Sequence, residues 1–203
     1  MIIPTAGIST SRSRSREQMT KSTIMSKTSL ILLLVVSLLI GAGGFVYSGL
    51  YPMGADDEHT APVTWVLTTL RERSIERAAR DIEVPDLSDP ALLLKGGPDY
   101  NDMCAGCHLQ PGVTSSDLSI GLYPAPPALT STLDEHGHDH QSELTPEQAA
   151  RRSYWIIKHG IKASGMPAWG PTHSDERIWA MVAFLQKLPE LTPEQYQILT
   201  ALD

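Results

Sequence analysis

Residues 29–51 form an uninterrupted run of 23 positions without a charged side chain, long enough to cross a bilayer as a helix. The acidic residues Asp56, Asp57 and Glu58 come directly after it. Beyond them the pattern turns helical in period: between Pro62 and Ile82, Val66, Leu70, Ile75, Ala78 and Ile82 recur near one side, and Arg71, Arg73, Glu76 and Arg80 occupy much of the other. Pro62 suits the first turn of such an amphipathic helix, which is expected to pack on the soluble body rather than lie on lipid or bind a partner. Pro85 and Pro90 are then expected to break the chain and separate this element from the C-terminal half. The strongest late pattern runs from Asp175 to Leu188, where Ile178, Met181, Val182, Leu185 and Leu188 make a broad apolar stripe widened by Trp179 and Phe184. Ser174 or Asp175 can cap it and Pro189 ends it. Thr145-Pro146-Glu147-Gln148 begins another helix, and Thr192-Pro193-Glu194-Gln195 opens the C-terminal tail with the same capping chemistry.

Charge orients the apolar run. The 203-residue chain carries a formal charge of −7, but Arg12, Arg14, Arg16, Lys21 and Lys27 precede the run against Glu17 alone, which leaves −11 on the remainder. Basic residues before the span and acidic ones after it predict a cytoplasmic N-terminus and an exported body. A cleaved signal peptide with Leu30 to Ile40 as its apolar region is the competing reading. The retained anchor is preferred because apolar residues resume at Phe45, Val46 and Tyr47, with Tyr47 and Tyr51 placed for the far interface. The Ser/Arg alternation at 11–16 precedes further methionines at 19 and 25, either of which would serve as a start and keep Lys27 before the span. An acidic body argues against nucleic-acid binding, which rests on Lys and Arg at phosphates, and permits steering toward a basic partner surface.

The only two cysteines lie in Cys104-Ala105-Gly106-Cys107-His108. C-x-x-C-H is the attachment signature of c-type haem: two thiols reach two porphyrin vinyl groups as thioethers, and the adjacent imidazole binds the iron. A redox dithiol would call for a thioredoxin-like βαβ context, which does not appear. A closed zinc site needs four ligands, and two cysteines only begin one. One such motif predicts one covalent haem.

From residue 88 to 190 the chain resembles the class I c-type cytochromes. In ALLLKGGPDYNDMCAGCHLQPG, Gly96, Tyr100 and Cys104 stand at four-residue intervals, where the family crosses its first and last helices and wants a small residue. Pro98 departs from the pattern and is expected to shorten or interrupt that first helix. The stretch from Tyr154 to Gly170 contains Met166 before Pro167, and the resemblance implies that Met166 Sδ binds iron opposite His108, raising the reduction potential. GLYPAPPALTS at 121–131 resembles the family's proline loop, which implies that a carbonyl of Pro126 or Pro127 accepts the His108 Nδ1 proton. Tyr123, Trp155 and Trp169 are candidates for propionate hydrogen bonds, beside ordinary packing.

The resemblance therefore implies an all-α protein: a class I cytochrome c fold around one covalent haem c, preceded by a single transmembrane helix and an amphipathic linker helix. The expected organisation is a basic cytoplasmic leader (1–28), an anchor (29–51), a linker (52–87), the cytochrome domain (88–190) and a tail (191–203). Cys104 and Cys107 would hold the porphyrin, and His108 and Met166 the iron. Met53, Met103 and Met181 are weaker ligand candidates, and His159 and His173 are the rivals for a bis-His iron. The expected function is electron transfer without substrate chemistry, at the periplasmic face of a bacterial inner membrane, toward redox partner proteins, alone or as the haem subunit of a larger complex. A haem enzyme or gas sensor with a dissociable Met166 is the alternative. His136, His138 and His140, among Asp134, Glu135 and Asp139, suit weak Zn or Cu binding or a plain exposed polar loop.

Overall fold

The computed structural model describes residues 26–131 and 144–201, and all regular structure among them is helical. The chain divides into two units, one ending at Met53 and the other starting at Gly54. Helix α1 of the first unit spans Lys27–Ser48, begins with the Ser26 side chain accepting from the Ser29 amide, and ends where Gly49 takes a left-handed φ of 65°. The helix thus stops before the uncharged run does. Its 22 residues rise about 33 Å, close to the thickness of a hydrocarbon core. With a mean hydropathy of 2.6 over its best window and no buried residue, it is a candidate membrane span.

The second unit contains α2 (Ala61–Ala79), α3 (Ala91–Met103), α4 (Ala105–His108), α5 (Asp117–Gly121), α6 (Pro146–His159), α7 (Asp175–Lys187), a 3₁₀ turn at Leu188–Glu190, and α8 (Pro193–Thr200). Helices α3 and α7 cross at its centre. The crossing is backbone on backbone: a Cβ on Gly96 would stand 2.1 Å from the Ala180 carbonyl oxygen. The neighbouring Gly97 serves a second approach, since its Cβ would meet the Leu199 carbonyl oxygen at 2.2 Å. Residues 193–200, read from the sequence as part of a tail, are therefore a helix laid on α3. Tyr196 is buried there with Tyr100, Phe184 and Leu188, and its hydroxyl donates to Asn101 Oδ1 at 3.1 Å.

The expected break at Pro98 does not occur; α3 runs through it without interruption. Proline forfeits the bond to the carbonyl four residues earlier, here that of Leu94. Leu94 faces solvent, so water can satisfy that oxygen, and the two glycine contacts hold the helix on two adjacent faces. Arg177 at the start of α7 also clamps α3 with a fork on Asp99, both bonds at 2.5 Å.

Helix α2 docks through its C-terminal half. Ile75 and Ala79 are buried, the helix packs on α6, and Glu72 pairs with Arg152 at 2.5 Å and Arg71 at 2.8 Å. The stripe read from the sequence is only half right, because Ala79 rather than Ala78 is inside, and Val66 and Leu70 are exposed. The helix ends at Ala79, well before Pro85, and the prolines do not separate it from the body. Ile82, Val84 and Leu87 continue onto the cluster formed by Ala150, Tyr154, Ile157, Ile178, Met181 and Val182.

Candidate functional site

Cys104 is the first residue after α3, and its amide still bonds to the Tyr100 carbonyl at 2.9 Å. The chain then makes one short turn, α4, in which the amides of Cys107 and His108 donate to the Cys104 carbonyl at 3.0 and 2.8 Å. This puts both thiols and the imidazole on one turn. Leu109 leaves it with a φ of 68°, a left-handed value costly for a branched side chain. The buried Tyr100 offsets that cost: its hydroxyl donates to the Leu109 carbonyl at 2.6 Å and lies 3.3 Å from that of His108. Tyr100 thus acts as a hydrogen-bonding post as well as a packing residue, a role its spacing alone did not reveal. Burial, first, holds its phenol well above the ordinary range, so the proton stays available for that bond.

The His108 ring is oriented by the 121–131 loop. Its Nδ1 lies 2.8 Å from the Pro127 carbonyl oxygen, one of the two carbonyls expected. A carbonyl can only accept, so Nδ1 carries the proton and Nε2 keeps a lone pair free to bind a metal. The Leu129 amide returns to the His108 carbonyl at 3.1 Å, and the two segments brace each other. Burial lowers the His108 pKa, against the smaller opposing effect of the Pro127 bond, and so favours the neutral ring that metals require. Cys104, which leans on the Tyr100 and Phe184 cluster, has its thiol pushed up to about 12, by burial first and then by the nearby charges of Asp99 and Cys107. Neither cysteine is in a disulfide.

Met166 sits in a loop that caps α6. Gly160 leaves the helix at φ 64°, ψ −171°, and a Cβ there would come within 2.7 Å of Met166 O, Pro167 C and Ala168 N. Only glycine fits that turn. The loop then returns its amides to the helix end: Trp169 to Ile157 O at 3.0 Å and Gly170 to Lys158 O at 2.9 Å. Inside the loop Ile161 N reaches Met166 O at 3.2 Å, and Ser164 Oγ donates to Ile161 O at 2.8 Å while accepting from Met166 N at 3.1 Å. Met166 rests on the Tyr154 and Met181 cluster. Its neighbour Gly165 abuts Leu122 of the proline loop, where a Cβ would lie 2.8 Å from Leu122 Cδ2. Leu122 thus links the segment bracing His108 to the one bearing Met166, a contact without a sequence signal.

The rival ligands fall elsewhere. Met181 is fully buried in the core, Met103 packs beside it and Met53 is exposed. His159 is exposed at the end of α6 and packs on Trp155. His173 is half-buried against Trp169; its Nδ1 is 2.8 Å from Thr172 Oγ1 and its Nε2 is enclosed by protein. Tyr123 accepts the His59 amide at 3.1 Å, while Trp155 and Trp169 pack on His159 and His173. His136, His138 and His140 lie outside the described residues.

An imidazole with Nδ1 tied off, two unpaired thiols on the same turn and a thioether in a glycine-shaped loop are the donor types that a covalently held haem would use. Residues 91–185 match the family described as cytochrome C oxidase, cbb3-type, subunit III. This segment is a c-type cytochrome domain. The match spans just under half of the chain and covers the C-x-x-C-H turn and Met166 together. No curated protein and no solved structure matches. The cytochrome domain implies electron transfer on haem, with α1 as the candidate for its membrane attachment.

Proposed function

We propose that the protein is a single-pass, membrane-anchored electron carrier whose cytochrome domain faces the periplasm and holds one haem c. Cys104 and Cys107 would supply the thioethers, and His108 Nε2 and Met166 Sδ would hold the iron. When bound, the haem supplies one-electron Fe(III)/Fe(II) chemistry. His108, fixed through Nδ1 to Pro127, keeps its donor nitrogen at a constant tilt and electron density. Met166 offers a soft, uncharged sulfur that favours the reduced metal. The α3 and α7 crossing keeps both segments on one rigid core, which limits reorganisation during transfer. With both axial positions filled from the chain, no side chain is needed to handle a substrate, and we assign no catalytic residue. The family's description favours an oxidase-side acceptor, served alone or from within an oxidase complex. The basic residues before α1 favour export of the body.

The observation that carries this reading is the His108 Nδ1 to Pro127 contact at 2.8 Å, because it leaves a single nitrogen for iron on the turn that bears both thiols. The test is the optical spectrum of the haem-matured protein. A weak charge-transfer band around 695 nm, as expected of Met-to-iron ligation, that vanishes in Met166→Ala supports the carrier. Its absence, with ready carbon monoxide binding by the reduced form, would replace the carrier with a sensor or enzyme whose iron is open.

A further inference from the structure

Helix α2 carries two faces of opposite use. Its C-terminal half buries Ile75 and Ala79 against the body, while Val66, Leu67 and Leu70 of its N-terminal half remain 51%, 41% and 65% exposed. At about 100° per residue, Val63, Val66, Leu67 and Leu70 share a sector centred roughly 150° away from Ile75 and Ala79. Val66, Leu67 and Leu70 therefore point away from the domain, while Val63 is half-buried. The sector does not stay apolar: one and two turns on it is continued by Arg73 and Arg77, both exposed. A contiguous apolar patch on an otherwise polar helix marks an interaction surface.

We propose that this face of α2 lies on the phospholipid interface, with Val66, Leu67 and Leu70 at the acyl boundary and Arg73 and Arg77 at lipid phosphates. Two features choose lipid over a protein partner. Exposed apolar residues and cations share one sector, the combination by which a helix lying in the interface plane meets both acyl chains and anionic headgroups. The chain also delivers α2 there, because only Gly49–Thr60 separates it from α1, a tether of on the order of 40 Å when fully extended. The inference rests on α1 being a retained membrane span. It adds a second, peripheral attachment that would restrict how the cytochrome domain turns above the bilayer.

The test uses the full-length, haem-matured protein in phosphatidylcholine/phosphatidylglycerol vesicles. Val66→Cys, Leu70→Cys and, as a control on the far helix, Gln197→Cys are each spin-labelled, and the parent chain reports any labelling of native cysteines. Collision with oxygen is compared with collision with a water-soluble nickel chelate. The expected result is an oxygen-to-nickel ratio several-fold higher at 66 and 70 than at 197. Equal ratios at all three sites would overturn the proposal in favour of a water-exposed face. Labels at 66 and 70 shielded from both reagents would overturn it in favour of a protein contact, including a second copy. Retention through an alkaline carbonate wash reports α1 separately; release would remove the anchor, and the proposal with it.

Discussion

The two segments that present His108 and Met166 are built by different means. The His108 side is one helical turn ended by a strained Leu109, and it is held from outside: Tyr100 grips its carbonyls and Pro127 its ring. The Met166 side is a loop without helical structure, held from within by Gly160, by Ser164 and by amides returned to the end of α6. Both rest on α7, but on separate clusters. A ligand held by a side-chain post and a covalent tether should survive perturbations that release one held by loop geometry. On the proposed ligation, the His side would set where the cofactor sits, and the Met side would be the adjustable element that sets its potential.

The largest effect is expected where the His side itself is removed. His108→Ala should lower the haem-to-protein ratio of the purified chain at least tenfold, whereas Met166→Ala should keep the haem, lose the thioether band and lower the potential by more than about 60 mV, a tenfold change in relative ligand affinity for one electron. Equal haem loss in both variants would erase the distinction between the sides. Gly96→Ala tests the platform common to both: with its Cβ 2.1 Å from Ala180 O, it should destabilise the fold by about 3 kcal/mol in denaturant titrations. Gly160→Ala sharpens the comparison. It should cost about 2 kcal/mol and weaken the Met band while haem content stays near that of the parent. Tyr100→Phe is its counterpart on the His side and should cost about 1.5 kcal/mol through the lost Leu109 bond, with the Met band unchanged.

The smallest expected effect lies outside both segments. Burial raises the Glu72 pKa, but hydrogen bonds and charges from Arg71 and Arg152 outweigh it and hold the group below the ordinary carboxylate value. A lowered folded-state pKa contributes stability above the unfolded value, and that contribution fades as pH falls through the folded one. Thermal stability tracked downward from about pH 5 should therefore decline less steeply in Glu72→Gln than in the parent. An unchanged slope would mean that the α2 and α6 pairing contributes nothing measurable, as exposed pairs often do not.

Local chemistry in the sequence was enough to read the C-x-x-C-H turn, the apolar span and the start of α7 at Ser174 or Asp175, because each is written in neighbouring residues. A thiol spacing, a capping side chain and an uncharged run keep their meaning in any fold. The proline loop and the crossing at Gly96 were legible through the resemblance to class I c-type cytochromes. Contacts between distant segments decided the rest. Gly97 had no visible purpose until α8 was laid on it, and the tail gained its structural role only through Tyr196. Pro98 obeyed a local rule that packing overrode, because the cost of one lost backbone bond is small beside two close helix contacts and can be met by water. The amphipathic stripe of α2 was legible, but not that half of it faces outward, since periodicity identifies a side of a helix and only tertiary packing selects which side is covered. The roles of Tyr100 OH, Leu122 and Gly160 lay beyond the sequence for the same reason: each depends on where a second stretch of backbone passes.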